Sequence, residues 1–221
     1  LQVIFADYDN DGYLDLFTAN SGSNLLLRNN ADAGVFHDVA ASADVVDSGS
    51  SVAGLWADFD HDGDIDLYLA SDTTNRFYRN NLDGTFTERS EAMGIGGGDA
   101  RSRDAAFGDF DDDGDLDLYV VNEDTSNILY TNMRQGRFKD ITEESGLTSR
   151  GKSGAVTVGD YNNDGSLDFF VTALEDGKYH LYRNTGNGTF HRETRQRELF
   201  GSLKHVAGQD AVFFDFDNDG Y

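Results

Sequence analysis

Asp7-Tyr8-Asp9-Asn10-Asp11-Gly12-Tyr13-Leu14-Asp15 decides the fold, because the chain writes this pattern five times. It returns as Asp58-Phe59-Asp60-His61-Asp62-Gly63-Asp64-Ile65-Asp66 and as Asp109-Phe110-Asp111-Asp112-Asp113-Gly114-Asp115-Leu116-Asp117. The fourth copy is Asp160-Tyr161-Asn162-Asn163-Asp164-Gly165-Ser166-Leu167-Asp168, and the last is Asp215-Phe216-Asp217-Asn218-Asp219-Gly220-Tyr221. Oxygen side chains at positions 1, 3 and 5, with a backbone carbonyl at 7, converge from alternate residues on one point. A hard cation that takes six to eight oxygen ligands needs that arrangement. Glycine at position 6 permits the sharp turn, since without a Cβ it reaches positive φ freely. The ninth residue closes the cage.

The expected ion is Ca²⁺, in four complete loops and a fifth incomplete one. Its predicted ligands are Asp7, Asp9, Asp11, the Tyr13 carbonyl and Asp15 in the first loop, and Asp58, Asp60, Asp62, the Asp64 carbonyl and Asp66 in the second. The third loop offers Asp109, Asp111, Asp113, the Asp115 carbonyl and Asp117, and the fourth Asp160, Asn162, Asp164, the Ser166 carbonyl and Asp168. The fifth offers Asp215, Asp217, Asp219 and the Tyr221 carbonyl. The side chains of Asp64, Asp112 and Asp115 fall at non-ligating positions and are expected to add negative potential. An EF-hand would carry Glu at position 12 and continue into a helix. Here position 12 is Thr18, Leu69, Val120 or Val171, inside runs of β-branched and aromatic residues that read as strands.

The acidity is local. The chain of 221 residues has a formal charge of -24, and its five loops hold 21 of the 41 acidic residues, leaving 20 against 17 basic ones elsewhere. Charge confined to chelating loops differs from that of a disordered acidic tail. A nucleic-acid partner is not expected, because affinity for phosphates comes from Lys and Arg. With no cysteine, disulfide staples, zinc thiolates and a cysteine nucleophile are excluded. No run of about 18 apolar residues predicts a membrane span. Proline is absent, and Asn and Gly supply the turns.

The first aspartates are spaced 51, 51, 51 and 55 residues apart. A fixed period of this size is the mark of one supersecondary unit repeated, each unit burying its faces against its neighbours. A short apolar strand A precedes each loop (residues 3–6, 54–57, 105–108, 156–159 and 211–214), and a Leu-Asp-Leu type strand B follows it. Strand C covers residues 24–29, 75–80, 127–132 and 180–184, and strand D residues 34–39, 84–89, 136–141 and 188–193. Four antiparallel strands in about 50 residues are the size of a propeller blade. The nearly continuous apolar B strands suit a sheet covered on both faces. A calcium-binding β-solenoid is the alternative, but its nonapeptide rhythm is missing. The expected fold is therefore all-β, a β-propeller of four-stranded antiparallel blades at about 1–40, 52–90, 104–142 and 154–194, with a fifth begun at 211–221. Longer connectors at 41–51, 91–103, 143–153 and 195–210 join the blades. Phe5, Trp56, Phe107 and Phe213 are expected in the core between them.

The pre-loop strand, the Asp-x-Asp-x-Asp-Gly-x-x-Asp loop, the Asn-x-Leu-x-x-Asn strand and the Gly-x-Phe strand together resemble the FG-GAP/VCBS repeats of integrin α-subunit propellers and of many bacterial surface proteins. Residues 138–147, Phe-Lys-Asp-Ile-Thr-Glu-Glu-Ser-Gly-Leu, are most similar to the cartilage acidic protein branch. The resemblance covers essentially the whole chain. It implies a propeller of seven or more blades with Ca²⁺ in the A–B loops of one face. Two departures stand out: only four blades and one further strand A are present, and Asn162 replaces the usual Asp.

The expected function is a calcium-stabilised recognition or adhesion module, placed outside the cell, at its surface or in the periplasm. Its partner would be a protein or glycan held on the face opposite the loops, by the B–C turns and connectors, where sequence and length vary. Remaining blades of the same protein, or another chain, are expected to cover the open blade faces. Apposed carboxylates repel without a cation, so ion binding is expected to be coupled to folding. No acid/base constellation stands outside the loops, and an enzyme is not expected; the alternative is a propeller of a polysaccharide-active enzyme. The histidines at 37, 61, 180, 191 and 205 lack metal-ligand spacing. Arg28, Arg79 and Arg183 recur at one position of strand C, replaced by Thr131 in the third blade, and are read as structural.

Overall fold

The computed structural model describes residues 2–30, 34–47, 49–134, 136–147, 152–174, 179–193, 208, 210–215 and 217. Asp219 and Tyr221 of the fifth loop, residues 175–178 of the fourth B–C turn and most of the connector at 195–210 lie outside them. Sixteen described strands make four separate four-stranded antiparallel sheets, none closed on itself. The first is β1 (Gln2–Ala6), β2 (Asp15–Ala19), β3 (Leu25–Asn29) and β4 (Phe36–Asp38), paired in chain order. The second is β5 (Ser51–Ala57), β6 (Asp66–Ser71), β7 (Arg76–Asn80) and β8 (Phe86–Glu88). The third is β9 (Ser102–Gly108), β10 (Asp117–Asn122), β11 (Ile128–Asn132) and β12 (Phe138–Asp140). The fourth is β13 (Ser153–Gly159), β14 (Asp168–Ala173), β15 (Tyr179–Asn184) and β16 (Phe190–Arg192).

Each loop's ninth aspartate opens its strand B, so loop and ladder share a residue. Register follows from this: Asp15 lies opposite Ala6, Asp66 opposite Ala57 and Asp168 opposite Gly159. Strands β6 and β10 are buried at every position, as continuous apolar runs require when both faces are covered.

The chain divides into two compact units, residues 1–102 with 133–137 and residues 103–132 with 138–221. In the first unit the position 2 aromatic of one loop enters the core of the following blade. Tyr8 stacks on Trp56 at 6.4 Å, and Trp56 meets Phe17 edge-on at 6.0 Å. In the second unit Phe110 lies 4.6 Å from Phe169, which also stacks on Tyr119 and Phe190. Burying a ring such as Phe169 contributes roughly 1.5–3 kcal/mol relative to exposure. Phe5 departs from expectation, being 58% exposed. Its sheet face is covered by no blade among the described residues of its unit, whereas the face carrying Trp56 is covered by the first blade.

Two further differences concern the connectors and the fifth copy. The second and third connectors open with single helical turns, α1 (Ser90–Met93) and α2 (Thr142–Ser145), each ended by a left-handed glycine, Gly94 or Gly146. The hydroxyls of Ser90 and Thr142 accept the N–H groups of Phe77 and Leu129, and Ile95 and Leu147 just beyond are fully buried. These turns dock on strand C. Residues 211–215 form no ladder, although Phe213 packs 6.3 Å from Phe170. In the four complete blades strand A forms its ladder with strand B of its own sheet.

Candidate metal centre

The loops hold their shape through side chains that accept the loop's own N–H groups. At position 1, Asp7 accepts from Asp11 and Gly12 at 3.0 and 2.9 Å; Asp58, Asp109 and Asp160 repeat this with positions 5 and 6 of their loops. The position 5 carboxylates of Asp11, Asp62, Asp113 and Asp164 accept the N–H of Tyr13, Asp64, Asp115 and Ser166 at 3.0–3.1 Å. Position 6 has φ of 89 to 94° in Gly12, Gly63, Gly114 and Gly165, which only glycine adopts without strain. Position 4 is also left-handed, at φ 56 to 62°, in Asn10, His61, Asp112 and Asn163.

The ninth aspartates lie deepest, with Asp15, Asp66, Asp117 and Asp168 at most 1% exposed. One oxygen of each takes the position 2 N–H, from Tyr8, Phe59, Phe110 or Tyr161. The other takes, at 2.8 Å, the N–H of the asparagine ending strand C: Asn29, Asn80, Asn132 or Asn184. The Asn80 amide in turn donates to the Tyr8 carbonyl, and the Asn184 amide to the Phe110 carbonyl, each at 2.8 Å. The same asparagine therefore pins its own loop and stitches its blade to the preceding loop. The side chain of Asp64, expected to add negative potential beside its ligating carbonyl, also crosses between blades, accepting from Asn10 at 2.6 Å.

Three loops bring three carboxylates together with one oxygen from each lying within 4.8 Å of the others. The triads are Asp7, Asp9 and Asp15; Asp58, Asp60 and Asp62; and Asp109, Asp111 and Asp117. Among the described residues the fourth loop forms no such triad of acids. The side-chain Oδ1 of Asn162 accepts the N–H of Asp164, and its Nδ2 lies 3.5 Å from Asp168 Oδ2. Of the fifth loop the described Asp215 and Asp217 are exposed.

These residues fit a bound cation. Oδ1 of Asp9 and of Asp111, both at position 3, is buried with no hydrogen-bond donor. A buried acceptor without a donor is costly, and a cation supplies what is missing. The donor set is oxygen throughout, which suits a hard divalent ion over one that prefers nitrogen or sulfur.

Burial pushes the carboxyls of Asp66 and Asp117 up to about 7 and that of Asp168 up to about 6, against the pull of their N–H donors. Burial raises Asp15 as well. An unfolded aspartate titrates at about 3.9. Between that pH and about 7 the ion-free folded chain therefore holds more protons than the unfolded one, and its stability falls as pH rises. Ion-depleted chain is expected to melt at progressively lower temperature from pH 5 to pH 7.5. Excess divalent ion should flatten or invert the trend, since it binds the ionised form. Thermal melts across this range check it, and a melting temperature that rises in the ion-depleted series would contradict it.

A family model described as an FG-GAP-like repeat matches residues 7–69, 58–120, 109–171 and 163–221, and the chain belongs to this family. Its sheets are propeller blades. Human cartilage acidic protein 1 is 29% identical over 208 residues, covering 87% of this chain and 31% of its own length. The protein of the same name from Xenopus tropicalis is 30% identical over 179 residues, covering 74% of this chain and 27% of its own. The chain thus spans less than a third of these relatives. Among solved structures, an Agrocybe aegerita lectin described for specific recognition of non-reducing terminal N-acetylglucosamine aligns with a TM-score of 0.51 at 19% identity, over 86% of this chain and 50% of its own. That likeness concerns the fold alone.

Proposed function

We propose that the chain is part of an extracellular or cell-surface recognition module whose blades are held by Ca²⁺, with a protein or glycan as partner. The observation that carries the calcium reading is the buried, donorless Oδ1 of Asp9 and Asp111, each within an oxygen-only triad. The first site would use Asp7, Asp9, Asp11, Asp15 and the Tyr13 carbonyl. The second and third would use the corresponding residues around Asp60 and Asp111, and the fourth those around Asn162. The ion would supply a fixed positive charge that the loop's backbone N–H groups only partly replace. Extracellular modules of this kind bind at about 10⁻⁴ to 10⁻³ M, matching a calcium-rich exterior. Calorimetric titration with Ca²⁺ at millimolar concentration tests this, and absence of any binding heat together with an unchanged melting temperature would refute it.

Recognition is assigned to the ends of the blades opposite the loops. The B–C turns there are rigidly held, since buried Asn24, Asn75 and Asn127 accept the N–H groups of Asn20, Ser71 and Asn122 at 2.8–3.0 Å. A stiff base under variable tips loses little entropy on binding. Once a glycan and matrix-protein array has identified a partner, replacing residues 21–23 and 123–126 by Gly/Ser is expected to weaken it by about tenfold or more, worth about 1.4 kcal/mol. Replacing C–D turn residues 82–84 should leave it intact. The reverse pattern would place recognition on the ion-binding face.

A further inference from the structure

The residue before the last asparagine of strand C meets the loop in the first three blades, and it differs among the blades. Arg79 forks onto the second loop, with Nε 2.7 Å from Asp60 Oδ2 and Nη2 2.7 Å from Asp62 Oδ2. Arg28 places Nε 2.6 Å from Asp9 Oδ2 and Nη2 3.6 Å from Asp11 Oδ2. In the third blade the position is Thr131, whose hydroxyl donates to Asp111 Oδ2 at 3.1 Å and brings no charge. In the fourth, where position 3 is the neutral Asn162, Arg183 lies 3.9 Å from Glu193. The described pairings thus follow position 3, with arginine meeting the loop in the two blades that combine it with a position 3 aspartate.

Guanidinium is a permanent cation whose planar fork matches paired carboxylates. The two carboxylates it grips are those of positions 3 and 5, which the calcium reading assigns as ligands. The close triad of the second loop is Asp58, Asp60 and Asp62, whereas the first and third triads include the ninth aspartate, so triad membership does not itself follow the arginine. At the position 3 oxygen that faces strand C the donor is a charged guanidinium in Asp60 and a neutral hydroxyl in Asp111, so the two loops differ there in charge.

We propose that this strand C residue is the resident counter-cation of its loop and sets the order in which the loops take the ion. This rests on the calcium reading above. Arg79 and Arg28 neutralise part of the carboxylate charge when ion is scarce and oppose a divalent ion when it arrives. The third loop, with Thr131, has no such cation and takes Ca²⁺ most tightly. Counting the carboxylates at positions 1, 3, 5 and 9 alone would rank the first three loops together. The fourth remains weak for a different reason, its missing carboxylate. Local charge count is a main lever on calcium affinity, so each arginine is expected to weaken its site by on the order of tenfold.

The test is a reciprocal swap in the full chain, Arg79→Thr and Thr131→Arg, read by competition for Ca²⁺ against a chromophoric chelator. Each titration starts from calcium-loaded folded protein, so a variant that is unstable without ion is still measured. Arg79→Thr is expected to tighten one site by roughly tenfold and to lower the melting temperature of the ion-free chain. Thr131→Arg should weaken the tightest site by a similar factor and raise the ion-free melting temperature. Site constants that stay within about twofold in both variants, or weaker binding in Arg79→Thr, would overturn the proposal while leaving the calcium reading intact. Absence of any calcium site in the unsubstituted chain would overturn both, so the two failures are distinct.

Discussion

Stripping divalent ions from the chain is expected to lower its melting temperature by more than about 10 °C, and millimolar Ca²⁺ should restore it. An ion that binds only the folded state at about ten times its Kd, as millimolar Ca²⁺ would at a Kd of about 10⁻⁴ M, stabilises by about 1.4 kcal/mol per site. For a chain of this size 1 kcal/mol shifts melting by roughly 2–4 °C, so three occupied sites together account for about 8–17 °C. Three loops present carboxylate triads with oxygens within 4.8 Å, and each triad is repulsive without a cation. The hydrogen bonds that prewind the loops, such as those from Asp11 and Gly12 to Asp7, moderate the loss and leave a folded ion-free state to melt. Mg²⁺ should restore less, because it dehydrates reluctantly and prefers octahedral sites with several waters. Calorimetric melts in excess EGTA, in Ca²⁺ and in Mg²⁺ measure all three states. An EGTA curve that overlays the Ca²⁺ curve would remove the ion from any account of stability.

The repeat was legible because a side-chain period and a cation's needs coincide. Alternate aspartates, a glycine at position 6 and an apolar run after position 9 leave few structures open, and the blade strands fall where those runs stand. Other features were hidden because they depend on contacts about fifty or more residues apart. The final asparagine of strand C reads only as the end of the strand Asn75-Arg76-Phe77-Tyr78-Arg79-Asn80, yet Asn80 bonds to Tyr8, 72 positions earlier. A signal for it existed, since the asparagine recurs in all four blades while its neighbours change. Position 4 carried a signal too. Asn, His and Asp are the non-glycine residues enriched in left-handed backbone, and they alone occupy that place, which gives Asp112 a backbone role beyond its charge. The helical turns α1 and α2 are too short for periodicity to show. Phe5 has the sequence of an inter-blade residue, but its burial depends on what lies across from its sheet, which the pattern within one repeat cannot report.

Replacing Asp117 by alanine is expected to destabilise the chain by about 2–4 kcal/mol even when no ion is present, a fall in melting temperature of roughly 5–15 °C. As a metal ligand alone, the residue would matter only in the presence of Ca²⁺. The structure gives it a second task. Its two oxygens accept the N–H of Phe110 at 3.0 Å and of Asn132 at 2.8 Å, joining the start of the loop to the end of strand C in a site only 1% exposed. Alanine leaves both N–H groups without an acceptor, and each buried donor left unpaired costs about 1–3 kcal/mol. Part of this is offset, since burial already opposes ionisation of this carboxyl and its removal relieves that cost. Asp117→Asn should be milder in ion-free protein. Its amide oxygen keeps one acceptor and removes the buried charge, but its NH₂ faces the other N–H. In Ca²⁺ the gap to the parent widens, because neither variant keeps the charge that strengthens a calcium ligand, so both fall further below it. Melts of parent, alanine and asparagine variants with and without Ca²⁺ separate the two tasks. If all three melt together in EGTA, the hydrogen bonds at Asp117 contribute nothing measurable and its role is confined to the ion.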